Sequence, residues 1–220
     1  MIKAFLLVLN PAETWDKIVL AKRNWLVIFL GYLLPLWLIG AVAEGYGLVH
    51  WGKPHGVISL VRTFPNSAAL IFEVLQTLLF SLVVFVGAKI IKALGETFHG
   101  RNNFNQTFTV TAYGLSAVFV LHIFDMFPGV SGLLYWVMWV AGILLSMSIL
   151  YMGIPKVMLP DPPHALGLYL TSTLLLAMIS GLVRFLTFCY LEGKFGKLDT
   201  LMEKITAHLP FLQSLDKYHF

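Results

Sequence analysis

The chain has 220 residues, of which 58% are hydrophobic and only 12% are charged. Soluble domains carry about 25% charged residues, and a core of this length could not hide so much apolar surface from water. This composition argues against a soluble enzyme and indicates an integral membrane protein with lipid as its solvent. The net charge of +4 is not gathered into one basic face, so we expect no nucleic-acid partner.

Residues 1–22 mix charged and apolar side chains and are predicted to form one or two short helices in the inner membrane interface. The opening apolar stretch is too short for a signal peptide, and no small-residue cleavage site follows it. Asn10, Pro11 and Glu13 indicate a helix start, in which Asn10 caps, Pro11 takes the first helical position and Glu13 reaches back to the cap.

Five apolar runs follow, each about 19–27 residues long and therefore able to cross the hydrocarbon core. In chain order they are residues 25–43, 68–91, 107–127, 131–154 and 165–191. Pro35 should bend span one, and Pro155 is predicted to end span four. The connection 44–67 is rich in Gly and Pro, so we expect an irregular loop with one short helix. Residues 160–163 should be extended, because each proline biases the residue before it away from helix.

The tail, residues 193–220, has apolar residues at helical spacing and charged residues between them. It is predicted to be an amphipathic helix that lies on the membrane or packs on the bundle. The predicted domains are residues 1–22, the membrane domain 23–192 and the tail 193–220. The predicted fold class is therefore an all-α integral membrane protein: a five-helix transmembrane bundle with an N-terminal interfacial helix and a C-terminal amphipathic helix.

Basic residues predict the orientation of the bundle. With the N-terminus inside, the loop on the outer side holds Lys53 and Arg62. The inner segments hold eight basic residues: Lys3, Lys17, Lys22, Arg23, Lys89, Lys92, Arg101 and Lys156. Because Lys and Arg favour the cytoplasmic side, we predict a multi-pass protein of the cytoplasmic (inner) membrane, with its N-terminus in the cytoplasm and its C-terminus outside.

Several short motifs resemble the bacterial branch of the Yip (Ypt-interacting protein) domain family over about residues 8–185. They are Pro11-x-x-x-Trp15-x-x-Ile18, Tyr32-Leu33-Leu34-Pro35, Ala112-Tyr113-Gly114-Leu115-Ser116, Phe127-Pro128-Gly129 and Tyr151-x-Gly153-x-Pro155-Lys156. The family often has a proline shortly after the tyrosine of span three, where this chain has Ala117 and Val118, and the tail has no family counterpart. The resemblance implies five spans and a cytoplasmic N-terminus. The eukaryotic members of the family associate with small GTPases in vesicle trafficking and membrane shaping.

Four titratable residues fall inside predicted spans, where charges are costly: Glu73, His122, Asp125 and Arg184. All four lie in the outer third by residue count, so we predict an intramembrane polar cluster. The preferred interpretation is structural, with Glu73 pairing Arg184 directly or through His122 or Asp125. The alternative is a proton relay, ion path or headgroup pocket.

No metal, nucleotide or nucleophile motif accompanies these residues. The seven histidines show no His-Glu-x-x-His spacing, and Cys189 lies in an apolar run that favours packing. The sequence therefore predicts no catalytic residue, metal site or cofactor and no identified small-molecule substrate. We expect a non-enzymatic scaffold or accessory subunit, with membrane lipid and other membrane proteins as partners. The alternative is a small transporter or channel-like protein that uses the polar cluster.

Overall fold

A computed structural model describes residues 2–55, 60–98, 103–127, 132–191, 194 and 204. Five helices in this part of the chain are long and apolar enough to cross a membrane, which confirms the predicted bundle. The observed spans one to five are Trp25–His50, Asn66–Thr97, Phe104–Met126, Leu133–Met158 and Pro162–Leu191. The predicted amphipathic tail, residues 193–220, lies outside the described residues except for Lys194 and Lys204.

Two short helices, α1 (Ile2–Leu9) and α2 (Pro11–Ala21), precede span one. Their placement in the membrane interface stays a prediction, but Trp15 of α2 is fully buried within the bundle. Its indole Nε1 donates to the Ile149 carbonyl at 2.9 Å, and its ring packs where Gly153 of span four has no side chain. The Trp15 side chain therefore fastens α2 to span four.

The start of α2 differs in two respects from the predicted cap. Pro11 takes the first helical position, but the Asn10 side chain makes no capping hydrogen bond to the first turn. The backbone N–H of Asn10 already donates to the Leu6 carbonyl at 2.7 Å. Glu13 therefore cannot accept from that N–H. Its carboxylate accepts from the Asn10 side-chain amide at 3.0 Å instead.

Span one is longer than predicted and contains a π-helical turn, Phe29–Leu33, just before Leu34-Pro35. The predicted end at residue 43 is wrong, because the helix continues to His50. Gly45 and Gly47 indicated a loop, but in the folded chain they allow close helix packing. A Cβ on Gly47 would lie 2.2 Å from the backbone oxygen of Met126. Glu44 is consequently a buried residue of span one rather than the first residue of a loop.

The connection between spans one and two contains two strands instead of the expected irregular loop and short helix. Strands β1 (Lys53–His55) and β2 (Leu60–Arg62) pair antiparallel, with Lys53 opposite Arg62. Gly52 enters β1 with a φ of +67°, a left-handed conformation that glycine adopts without strain. The resulting β-hairpin lies at the end of span one, where the Phe64 N–H donates to the Leu48 carbonyl at 3.2 Å.

Span three is the central helix of the bundle. Buried residues make up 83% of its apolar segment, against 28% to 39% for the other four spans. It begins with a capping box in which Asn103 and Gln106 satisfy each other's backbone N–H groups. After Leu121 it tightens into a 3₁₀ helix, His122–Met126, which positions two of the predicted polar residues.

Two expectations about prolines were wrong. Span four continues through Pro155 to Met158 and stops where Leu159 adopts a positive φ of 45°. Pro155 therefore lies within the last turn of the helix rather than after its end. Pro162 and Pro163 begin span five rather than extending the loop, since the first helical turn needs no intrahelical N–H donor.

Candidate functional site: a buried polar cluster

The four sequence-predicted residues lie at the end of the bundle that carries the β-hairpin. Glu73 comes from span two, His122 and Asp125 from the 3₁₀ end of span three, and Arg184 from span five. Each of these side chains is buried. Together with Glu44 of span one and Gln76 of span two, which are also buried, we call them the polar cluster.

Arg184 pairs with Asp125, not with Glu73. The guanidinium Nη2 donates to Oδ1 of Asp125 at 2.7 Å, and Nη1 lies 2.5 Å from Oδ2. Nη2 also donates to the Tyr135 carbonyl at 3.2 Å, and the guanidinium carbon lies 3.2 Å from the centre of the Tyr135 ring. The predicted direct pair of Glu73 with Arg184 is therefore wrong. A bidentate carboxylate contact and an aromatic face hold the two terminal nitrogens of the guanidinium instead, while its Nε has no hydrogen-bond partner among the described residues.

His122 connects this ion pair to span one. Its Nδ1 lies 2.8 Å from Oδ2 of Asp125, and its Nε2 lies 3.3 Å from Oε2 of Glu44. The Gln76 amide nitrogen donates to the same Glu44 oxygen at 2.8 Å and lies 3.2 Å from Nε2 of His122. With its proton on Nδ1, the His122 ring would donate to Asp125 and accept from the Gln76 N–H at Nε2.

Sequence reasoning missed Glu44 and Gln76. Glu44 was assigned to a loop, and Gln76 carries no charge. One signal was available: Gly40, Glu44 and Gly47 recur at the spacing of one helix face. A Cβ on Gly40 would lie 2.4 Å from the His122 ring, so these glycines let span one approach the 3₁₀ end of span three.

Several oxygen atoms of the cluster have no hydrogen-bond partner among the described residues. They are both carboxylate oxygens of Glu73, Oε1 of Glu44 and Oε1 of Gln76. Buried polar atoms are normally satisfied, so this corner of the cluster is chemically incomplete. The predicted connection from Glu73 to Arg184 through His122 or Asp125 is likewise not made by hydrogen bonds.

Lys53 brings a second cation from strand β1. Its ammonium lies 4.0 Å from the centre of the Tyr135 ring, in a cation–π contact. Burial lowers the pKa of Lys53 to about 8, although the nearby Glu44 charge opposes that change. The polar cluster thus combines three acids, a histidine, a glutamine and the Arg184 cation, and Lys53 lies beside it with a lowered pKa.

The space around the cluster differs between its two sides. Beside His122, Asp125 and Arg184 there is a cavity of only about 10 Å³, room for a single water at most. On the other side, Glu73 lines a mainly apolar groove of about 760 Å³ between spans one and two. His50 and Asn66 lie at the hairpin end of that groove.

A second polar region lies at the opposite end of the bundle. Lys3, Lys22 and Arg23 line a cavity of about 290 Å³ together with Asn103 and Gln106 of span three. Partial burial and the neighbouring Arg23 charge both lower the pKa of Lys3. No acidic side chain lines this cavity among the described residues.

The fold and its buried ionic contacts define a five-span helical membrane protein. The chain matches the Yip1 domain over residues 5–185 and belongs to this family, as the motifs around Trp15, Tyr113 and Pro155 indicated. No curated protein matches the chain significantly, and no solved structure does so either.

Proposed function

We propose that the protein is a non-enzymatic scaffold or accessory subunit of the cytoplasmic membrane that organises lipid around a rigid bundle. The observation that carries this proposal is the Glu44–His122–Asp125–Arg184 chain of contacts, which ties spans one, three and five together in a nearly dry interior. Buried, hydrogen-bonded charges of this kind hold helices in one arrangement, which suits a fixed platform.

The narrow space beside the cluster favours a scaffold over the transporter alternative. An ion path needs water or successive binding sites along its length. The cavity at His122, Asp125 and Arg184 holds one water at most, and the groove beside Glu73 is lined mainly by apolar side chains. A small cavity and an apolar groove are both expected of helices that pack in one fixed arrangement within lipid.

The basic cavity at the other end supports a role with anionic lipid. Three like charges from Lys3, Lys22 and Arg23 surround one space, and none of its described lining residues is a carboxylate. Asn105 holds this region in place, because its amide donates to the Arg23 carbonyl at 2.9 Å. Basic residues beside a membrane span attract phospholipid phosphates.

We expect the variant Lys22→Gln/Arg23→Gln to retain much less phosphatidylglycerol than the parent. Each basic residue near the surface contributes about 1 kcal/mol, so two of them correspond to roughly thirtyfold in affinity. The measurement is native mass spectrometry of the protein, purified in mild detergent and titrated with phosphatidylglycerol.

The matched control is Lys89→Gln/Lys92→Gln, which removes the same charge on the same predicted side but away from the cavity. Phosphatidylcholine, which has no net charge, controls for the acyl chains, and inorganic phosphate tests whether a free anion suffices. Equal retention by both double variants would contradict the lipid proposal. If the purified chain instead retained another membrane protein stoichiometrically and no lipid, the result would contradict a lipid scaffold and indicate a scaffold for proteins.

The orientation is also part of the proposal. We expect reporter fusions after Lys92 and after Phe220 to report opposite sides, with the first in the cytoplasm, because basic residues are concentrated at that end. Alkaline phosphatase and fluorescent-protein fusions at both sites provide the measurement. Fusions that report the same side would contradict the five-span orientation.

A further inference from the structure

We propose that Glu44, Glu73 and His122 form a binding site for one divalent transition-metal ion of the Zn²⁺ type. Each residue offers one ligand atom, and the three atoms lie within 4.8 Å of one another. The side chains come from three different spans and are 1%, 8% and 6% exposed. This inference is independent of the lipid-organising role.

The histidine is already oriented as a metal ligand. Its Nδ1 lies 2.8 Å from Oδ2 of Asp125, so in the tautomer with the proton on Nδ1 the Nε2 lone pair faces Glu44. Metal-binding histidines commonly donate their other ring N–H to a carboxylate, which fixes the tautomer and the ring direction. Arg184 holds Asp125 through two contacts, so the support of the ring extends to span five.

The two glutamates have free ligand atoms and make no direct ion pair with a Lys or Arg of the described residues. Both oxygens of Glu73 and Oε1 of Glu44 have no hydrogen-bond partner among the described residues. Arg184 is committed to Asp125, and neither glutamate has a Lys or Arg nitrogen within 4.0 Å in the described part of the chain. A divalent cation would satisfy these oxygens, and its binding would displace protons from the ligand groups.

The ligand set favours zinc over calcium or magnesium, because imidazole nitrogen and carboxylate oxygen both bind Zn²⁺, whereas Ca²⁺ and Mg²⁺ take oxygen ligands. Bond lengths of about 2.0 to 2.2 Å place neighbouring tetrahedral ligands about 3.3 Å apart, so the three side chains must move inward slightly. The Gln76 amide, now 3.2 Å from Nε2 of His122, must also turn away. A fourth position stays open for water.

The test measures metal binding by the tag-free full chain in detergent, with zinc alone as the probe. All proteins carry His208→Gln/His219→Gln, so that the tail histidines cannot contribute. Equilibrium dialysis with elemental analysis should find one tightly bound zinc per chain. Glu44→Gln, Glu73→Gln and His122→Gln should each weaken binding by more than tenfold, and Asp125→Asn by about 10- to 100-fold.

The matched controls are His50→Gln and Glu96→Gln, which should bind zinc like the parent. X-ray absorption of the zinc-loaded parent needs no variant of the site and should show imidazole nitrogen and carboxylate oxygen at about 2.0 to 2.1 Å. A spectrum without imidazole nitrogen would overturn the proposal even if the site variants fold poorly. Binding that is substoichiometric, or unchanged in three well-folded site variants, would overturn it as well.

Discussion

Replacing Arg184 with Gln is expected to lower the free energy of unfolding by about 3–5 kcal/mol, because the change leaves the Asp125 carboxylate buried without its cation. Asp125→Asn should cost a similar amount by leaving the guanidinium unpaired. The double variant Arg184→Gln/Asp125→Asn should be less damaged than the sum of the two single variants. Chemical denaturation in detergent micelles, followed by circular dichroism, measures all three.

Glu73→Gln provides the matched control for this series. Because Glu73 makes no ion pair with Arg184, the Glu73→Gln and Arg184→Gln effects should add to within about 0.5 kcal/mol. The coupling of Arg184 with Asp125 should instead be about 1–3 kcal/mol. A larger coupling of Arg184 with Glu73 than with Asp125 would contradict the observed pairing.

Gly47→Ala should destabilise the protein by about 1–3 kcal/mol, since the new methyl group would meet a backbone atom that cannot rotate away. The added Cβ would lie 2.2 Å from the Met126 carbonyl oxygen, at the contact that brings span one to the 3₁₀ end of span three. Thermal unfolding in detergent provides the measurement.

Gly31→Ala is the control in the same span, because a Cβ there meets nothing within 4 Å. It should leave stability unchanged or raise it by up to about 1 kcal/mol, through the lower conformational entropy of the unfolded chain. Equal losses in the two variants would show that the close approach at Gly47 is not what holds the spans together.

The five spans could be predicted because lipid requires long uninterrupted apolar runs, and the chain has five of them. Their ends were less predictable, since glycine has two opposite uses. In a soluble protein, two glycines spaced like Gly45 and Gly47 would indicate a turn. In a membrane bundle, small residues instead allow helices to approach closely. The sequence shows both glycines, but it does not show which backbone atoms pack against them in the folded bundle.

The depth of the polar cluster along the helices was predictable, but the pairing between its side chains was not. Residue counts along a helix give depth at about 1.5 Å per residue, and depth alone placed Glu73 and Arg184 together. They do not give the direction in which each side chain points around its axis. The tightening of span three at His122–Met126 turns Asp125 toward Arg184.

The three proposed metal ligands are not recognisable as a sequence motif for a similar reason. Known short motifs place ligands on one helix or loop, at fixed separations. Glu44, Glu73 and His122 lie on three spans and meet only after the bundle has formed. Glu44 was also not recognised as a buried acid, because the predicted end of span one at residue 43 placed it in a loop.

Ion flux through the reconstituted protein tests most directly whether the polar cluster is a fixed structural element or a path for ions. Purified protein in liposomes, with imposed gradients of protons, potassium or zinc and dyes inside the vesicles, provides the measurement. We predict no flux above that of empty liposomes for the parent or for Glu73→Gln, because the cluster holds one water at most beside Arg184. Gradient-driven flux in the parent that Glu73→Gln abolishes would contradict the scaffold proposal and establish the cluster as a conduit.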